Sequence, residues 1–356
     1  METKQNILLI RLRSMGDVLF TLPAVRLVRE VFPSATITFL VSREYAPLLE
    51  GFGDVDETIS VDRARYRRGD PISICLETLS LLRVLRRGKF SLVVDFQGYG
   101  ETAWLAWWTG APRRWGSVYR PARRWAYTRY LNRDGLMHPV EWNLSLLHHC
   151  GLHPARVLNE FAVPDSALEE ARRLLAAHKL ALDCPTLFIQ PFTSTPAKNW
   201  PLDRYIAVAK HWRERGLQVL FGGGPAECAA LEPARQAGFA VSAGVPLNVS
   251  AGLAKLSTLT LGGDTGLLHL AVAMDRRVTA IIPSMAPGSP HPFQHPEWAV
   301  APPAGLNISD IPTEAVIEAC ARAFTELDVQ FNPVCLAAAQ KTSEATRGTP
   351  APARRR

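Results

Sequence analysis

The chain has 356 residues, 47% of them hydrophobic and 21% charged, with a net charge of +7. That length exceeds what one core ordinarily serves and predicts two α/β domains. The composition is that of a soluble globular protein, and no apolar run approaches the roughly 18–20 residues that span a bilayer.

The first apolar run, Asn6-Ile7-Leu8-Leu9-Ile10, enters a strand almost at once, with no cleavable signal pattern. It leads through Arg11-Leu12-Arg13-Ser14-Met15-Gly16-Asp17 into a helix expected over 18–31. Short, β-branched runs at 36–41 and 91–95 predict buried parallel strands, the second ending in Asp95-Phe96-Gln97-Gly98. Helices are expected at 101–108 and 166–178, followed by a proline-marked break near 185 that places the domain boundary. Beyond it come a strand at 186–190, an amphipathic helix at 202–215 and a strand at 218–221 ending in Gly222-Gly223-Gly224-Pro225. A helix at 249–255 and a strand at 258–261 lead into Gly262-Gly263-Asp264-Thr265-Gly266. A helix over 266–273, a strand over 278–282 and a final helix over 312–327 complete the pattern. From about residue 337 the chain turns to Ala, Pro, Thr and Arg, and a disordered basic tail is expected there. Such alternation means parallel sheets covered on both faces.

Two of these segments match each other. Each sets a carboxylate (Asp17, Asp264) and a glycine (Gly16, Gly266) where a buried strand gives way to a helix. Open α/β sheets bind ligands at that edge, and a helix N-terminus suits a phosphate. Two such turns suggest two sheets facing one cleft. Taken singly each is weak: Asp17 reads equally as a helix cap, His269 as a packed helical histidine, and the glycine run as a plain turn. Neither a G-x-G-x-x-G after the first strand nor a phosphate-binding P-loop is present. The six cysteines (Cys75, Cys150, Cys184, Cys228, Cys320, Cys335) hold no Cys-x-x-Cys pair. They read as reduced thiols of a cytoplasmic protein, neither a disulfide frame nor a zinc site.

The positive charge is concentrated. Arg63, Arg65, Arg67 and Arg68 form one stretch. Arg113, Arg114, Arg120, Arg123, Arg124, Arg129 and Arg133 form another, without an acid and interleaved with Trp115, Tyr119, Trp125, Tyr127 and Tyr130. Such a stretch is either a solvated basic face or the seat of an anionic partner, and its spacing does not choose between nucleic acid, anionic lipid and acidic glycan. It looks like a loop and helix folded over an acceptor.

Four segments in order carry a resemblance. They are Ser14-Met15-Gly16-Asp17-Val18-Leu19 with Thr21-Leu22-Pro23-Ala24, Val93-Val94-Asp95-Phe96-Gln97-Gly98, Phe192-Thr193-Ser194-Thr195-Pro196-Ala197-Lys198-Asn199-Trp200-Pro201, and Gly263-Asp264-Thr265-Gly266-Leu267-Leu268-His269-Leu270-Ala271. Over roughly residues 6–285 the chain resembles the ADP-heptose heptosyltransferases of lipopolysaccharide core synthesis, glycosyltransferase family nine. The resemblance implies an α/β fold of the glycosyltransferase B type, with two Rossmann-like domains facing a central cleft. Residues 1–165 would bind the acceptor, 166–185 would link, and 186–330 would bind the nucleotide sugar. The final helix would pack back towards the first domain, and 337–356 would be the tail.

The activity it implies is inverting, metal-independent transfer of heptose from ADP-heptose to an inner-core sugar. Asp17 matches the family's general base, a role a carboxylate can fill within hydrogen-bond reach of a hydroxyl. Lys198 matches its phosphate-contacting lysine, with the Thr193 and Ser194 hydroxyls beside it. Asp264, Thr265, Gly266 and His269 match the donor loop and its helix, Asp264 bracing the loop or meeting sugar hydroxyls. Glu227 matches a residue near the ribose and Leu247 the adenine pocket. Arg11, Ser14, Gly16 and Arg120 fall on the acceptor side, Arg11 suited to an acidic sugar's carboxylate. No cofactor and no metal are implied, and Lys198 with the helix dipole supplies the positive charge. The expected partners are a nucleotide sugar and an anionic glycolipid, with peripheral contact at the cytoplasmic face of the inner membrane and no nucleic acid.

The sequence departs from the family at Gln190, where histidine is usual, at Gly263, where a side chain is common, and at Pro283-Ser284-Met285-Ala286-Pro287, which lacks an acid. These departures leave open another nucleotide sugar, or a protein or O-chain acceptor. A nucleotide-sugar epimerase on the same architecture and a non-catalytic binding protein for nucleic acid or anionic membrane are the rival readings.

Overall fold

The computed structural model describes residues 5–63, 65, 70–153 and 155–329. The expected tail, together with Arg67 and Arg68, lies outside the described residues. The chain forms two compact units: Met1–Ala162 with Ala286–Pro290, and Val163–Met285 with the chain from His291 onward. The segment read as a linker contains helix Asp165–Ala177, which falls in the second unit.

In the first unit the strands are β1 (Asn6–Ile10), β2 (Thr36–Ser42), β3 (Glu57–Val61), β4 (Leu92–Asp95), β5 (Arg113–Val118) and β6 (Arg129–Asn132). They form one sheet in the order β3-β2-β1-β4-β5-β6, and every pairing is parallel. The second unit holds β7 (Thr186–Gln190), β8 (Gln218–Gly223), β9 (Ala240–Ala243), β10 (Leu259–Gly263), β11 (Val278–Ile281) and β12 (Ala299–Val300). Their order is β12-β11-β10-β7-β8-β9, again all parallel. Both orders are that of a doubly wound nucleotide-binding sheet. Winding reverses between β1 and β4 in one unit and between β7 and β10 in the other, the point at which ligand sites form in such folds. Parallel strands covered on both faces must be apolar throughout. Ile7, Leu8, Leu9 and Ile10, and likewise Leu187, Ile189, Leu259 and Leu261, are fully buried.

The expected helix over 18–31 is two helices, Met15–Leu19 and Leu22–Val31. Pro23 has no N–H to return to the preceding turn, so a continuous helix is interrupted there. The Thr21 hydroxyl instead donates to the Val18 carbonyl at 2.7 Å. The basic stretch from Arg113 to Arg133, expected as a loop and helix, is instead β5, a short 3-10 turn Pro121–Ala126 and β6, so its aromatics Trp115 and Tyr127 are core residues. Helices Pro71–Arg87 and Pro139–His149 and strands β3, β9 and β12 are additions to the expected elements.

Helix Thr313–Glu326 belongs to the second unit, where Phe324 meets Trp212 edge-on at 4.8 Å. One further expectation is corrected. Cys75, Cys150, Cys228 and Cys320 are free, but Cys184 is disulfide-bonded rather than a reduced thiol.

Helices Asp165–Ala177 and Leu247–Leu256 pack closely because Gly252 carries no side chain. A Cβ there would stand 2.8 Å from the Ala171 Cβ and 2.9 Å from the Ala167 carbonyl. Gly252→Leu is therefore expected to lower stability by about 1–3 kcal/mol through overpacking. An unchanged denaturation midpoint in urea would show that these helices do not approach so closely.

Candidate functional site

In the first unit the side chains gather where β1 and β4 end. Asp95, fully buried at the end of β4, accepts from the Gln97 N–H (2.9 Å), the Gly98 N–H (3.0 Å) and the Tyr127 hydroxyl (2.7 Å). Burial drives its pKa up and these hydrogen bonds only partly oppose it. Gly98 takes φ +66°, and a Cβ would collide with the Ser117 carbonyl, so glycine is required there. The turn so fixed presents the Gln97 carboxamide oxygen to the Leu12 N–H (2.8 Å) and the Arg13 N–H (3.2 Å). The loop after β1 is thus held to the loop after β4.

Arg11 begins that first loop and is buried. Its guanidinium donates to the Phe96 carbonyl at 2.7 Å and pairs with Asp17 at 2.7 Å. Asp17 lies in the first turn of helix Met15–Leu19, where it accepts from the Ser14 N–H and the Ser14 hydroxyl, each at 3.0 Å. This is a capping arrangement, so Asp17 does cap its helix. Its side chain is also 34% exposed, which leaves the carboxylate within reach of a hydroxyl. Burial pulls its pKa up, but the Arg11 guanidinium and the Ser14 hydrogen bonds outweigh that and hold it below the ordinary carboxylate value.

Arg11, Ser14, Gly16 and Asp17 therefore come together. Arg120 is exposed in the turn after β5. Arg133 is the residue that sequence reasoning did not single out. It lies over the Tyr119 ring (5.3 Å) and the Trp142 ring (5.2 Å) and interacts electrostatically with Arg11 and Asp17. Burial lowers its pKa. Arg13 lies 5.8 Å from the Tyr99 ring centroid, which adds a further cation to this edge of the sheet.

The second unit repeats the plan with other chemistry. Asp264 follows β10, is nearly buried, and accepts from the Lys198 ammonium at 2.7 Å and from the His269 ring at 3.2 Å. An ionised carboxylate only accepts, so His269 Nε2 carries the proton. Burial raises the Asp264 pKa, and His269 and Lys198 together bring it below the ordinary value. These bonds tie Asp264 to the Lys198 loop and to the helix that follows it. The Lys198 side chain remains 40% exposed.

Thr265 caps helix Gly266–Ala273, its hydroxyl accepting from the Leu268 N–H. The leading N–H groups at Gly266 and Leu267 have no partner inside the helix by geometry alone. Thr193 is less available than expected, because its hydroxyl donates to the Thr195 carbonyl at 2.8 Å, whereas Ser194 is exposed. Asn199, not singled out from sequence, fixes the loop by accepting from the Thr193 N–H at 2.8 Å.

Glu227 accepts from the Gly224 N–H at 2.7 Å and closes the glycine-rich turn after β8; the Gln190 amide lies 3.5 Å from the same oxygen. Leu247 is half-buried at the start of helix Leu247–Leu256. Gly262 and Gly263 permit the close fit of these loops. A Cβ on them would stand 2.5 Å from the Gln190 carbonyl and 2.7 Å from the Thr193 methyl.

Among the described residues no cluster of histidine, cysteine and acidic side chains has the form of a metal site, and no helix is long and apolar enough to cross a membrane.

The family model described as glycosyltransferase family 9 (heptosyltransferase) matches residues 78–301. Lipopolysaccharide heptosyltransferase 1 of Pseudomonas aeruginosa is 26% identical over 301 residues, 80% of each chain. Among solved structures, a family 9 glycosyltransferase from Veillonella parvula superposes with a TM-score of 0.80 at 22% identity, covering 92% of this chain and 99% of that one. The ADP-heptose lipopolysaccharide heptosyltransferase II of E. coli follows with a TM-score of 0.74 at 22% identity, covering 91% and 100%.

If Arg11 is what holds Asp17 ionised, Arg11→Gln should raise the Asp17 pKa towards the ordinary 3.8, read by carboxyl carbon NMR titration. A folded-state pKa below the unfolded one contributes stability above pH 3.8 that is lost as pH falls through the folded value. The stability gap between the wild type and this variant should close in the same acid range. An unmoved Asp17 titration would remove Arg11 from this role.

Proposed function

The chain belongs to glycosyltransferase family 9 and is a glycosyltransferase, and on that premise we propose that it moves heptose from ADP-heptose to an inner-core sugar of lipopolysaccharide, with inversion and without a metal. The observation that carries this reading is that each sheet reversal bears one half of the required chemistry: a partly exposed carboxylate in one unit and a partly exposed lysine beside a helix N-terminus in the other. That its relatives are lipopolysaccharide heptosyltransferases, one of them an ADP-heptose enzyme, supports the donor and the acceptor class.

The acceptor hydroxyl attacks the anomeric carbon of the donor as the bond to the diphosphate oxygen breaks. The hydroxyl proton passes to Asp17 and the electron pair leaves with ADP. Asp17 is a weak base, but the pairing with Arg11 keeps it free of a proton at neutral pH. The hydroxyl becomes acidic only as its bond to the anomeric carbon forms, so a weak base suffices late in the reaction. Charge on the leaving diphosphate is met by Lys198 and by the N–H groups leading helix Gly266–Ala273. Arg11 and Arg133 are placed to hold an anionic acceptor, and an acceptor carboxylate competing for Arg11 would raise the basicity of Asp17. Glu227 and Leu247 fall to the nucleoside. The setting is the cytoplasmic face of the inner membrane; the Cys184 disulfide is the one feature that pulls the other way.

Asp17→Asn should lower kcat by roughly 10²–10⁴ while leaving ADP affinity unchanged. Full turnover in that variant would remove Asp17 as the base. Lys198→Ala should weaken ADP by roughly 10- to 100-fold, the loss of a charge-assisted hydrogen bond; intact ADP affinity would count against its phosphate role.

Calorimetric titration with ADP-heptose, ADP, UDP-sugars and GDP-sugars, each with and without a chelator, tests the whole reading. Selective binding of ADP-heptose in chelator supports it. Preference for another nucleotide sugar overturns the donor assignment and leaves the fold and the base in place.

A further inference from the structure

Helix Pro71–Arg87 turns the wrong residues outward. Ile72 is 73% exposed, Leu76 61% and Leu79 40%. These positions follow one another at the helical repeat and line one stripe, which Arg83 and Arg87 continue. An amphipathic surface helix normally points such aliphatic residues at a core. Here the stripe faces solvent, apolar over its first two turns and cationic over its last.

Beside it lies helix Gly100–Trp108, tied on by the Trp108 indole N–H donating to the Leu82 carbonyl (3.1 Å) and by Arg86 donating to the Trp108 carbonyl (3.2 Å). Trp104 stacks on Trp108 with ring centroids 5.3 Å apart. Trp107 meets Trp125, of the turn Pro121–Ala126, edge-on at 5.7 Å. All three of Trp104, Trp107 and Trp125 are exposed, Trp125 at 54%. Arg86, Trp107, Trp108, Gly110 and Arg114 line a depression on the same face. The surface is therefore continuous across three elements.

Its charge is largely basic: Asp70 caps helix Pro71–Arg87, and the other acids are paired. Glu77 is paired with Arg65 at 2.5 Å and Glu101 with Arg63 at 3.1 Å. Between Glu101 and Asp134 the chain has seven arginines and no acid. We propose that this face, formed by helices Pro71–Arg87 and Gly100–Trp108 and the turn Pro121–Ala126, docks the protein on an anionic lipid bilayer. Indole rings favour the interface between headgroups and acyl chains, aliphatic side chains gain by entering it, and arginines are drawn to anionic headgroups.

Each alternative occupant satisfies only part of the surface. Nucleic acid would meet the arginines and the indoles but leave Ile72, Leu76 and Leu79 in water. A second copy docking through the same face would set the same arginines against themselves. The inference stands on the surface and not on the heptose reading. Where that reading also holds, docking brings the end of β4, from which helix Gly100–Trp108 springs, to an acceptor anchored in the bilayer.

The test is cosedimentation of the full chain with vesicles of phosphatidylcholine, with and without phosphatidylglycerol, at low and high salt. Binding is expected only with phosphatidylglycerol, weaker at high salt, and lost in Leu76→Glu/Leu79→Glu. Arg83→Gln and Arg87→Gln should each weaken it about five-fold. Since all four side chains are exposed, melting temperatures should stay at the wild-type value, and Trp107→Ser/Trp125→Ser provides a second variant pair should the first unfold. Three results would overturn the assignment: no binding to anionic vesicles, equal binding by wild type and folded variants, or self-association in sedimentation velocity that the glutamates abolish without any vesicle binding.

Discussion

Everything chemical in this chain hangs from the seam at which a parallel sheet reverses its winding. Neighbouring strands at that seam send their following loops in opposite directions, so a gap opens that no connection fills. Each unit must close its gap with side chains, and it does so with polar ones. Gln97 bridges the β1 and β4 loops, and Asp264 bridges the β7 loop, through Lys198, to the helix that follows β10. The β-strands below contribute apolar bulk and rigidity; what they position is a short list of charged groups just beyond their ends.

Those groups are held by one another. Asp17 sits between an arginine and a serine, Asp264 between a lysine and a histidine, and in both cases partnership overcomes the desolvation that would otherwise favour a neutral acid. The partners differ in what they leave free. Asp17 keeps an exposed carboxylate edge, whereas Asp264 is enclosed and it is Lys198 that remains accessible. The same device of a paired carboxylate thus leaves a carboxylate accessible in one unit and a lysine in the other.

Much of this was legible in the sequence, for identifiable reasons. Buried parallel strands such as Asn6–Ile10 and Thr186–Gln190 are short apolar runs, and the helix Gly266–Ala273 follows directly from its capping threonine. The elements that stayed hidden are those whose pattern is broken by charge. β5 opens on Arg113-Arg114, β6 on Arg129, and β3 is largely exposed at the sheet edge, so none reads as an apolar strand. Helix Pro71–Arg87 was missed because its apolar residues run all round it rather than along one side. Within the site, the ordered segments pointed to Asp17, Lys198 and Asp264. Arg133 was one arginine among seven, and only folding brings it near Arg11. Asn199 and Gln97 act through backbone N–H groups, a role that carries no signature in side-chain spacing.

The two sheets share one strand order. A molecule assembled from two copies of a single topology invites recombination: one unit from one lineage could be joined to the other unit from another without a new fold. The partition of the chain sets one condition on such exchange. Residues Ala286–Pro290, encoded well inside the second half, belong to the first compact unit. A viable chimera would have to carry that five-residue patch along with its distant N-terminal partner, so the natural crossover is a pair of junctions and not a single cut.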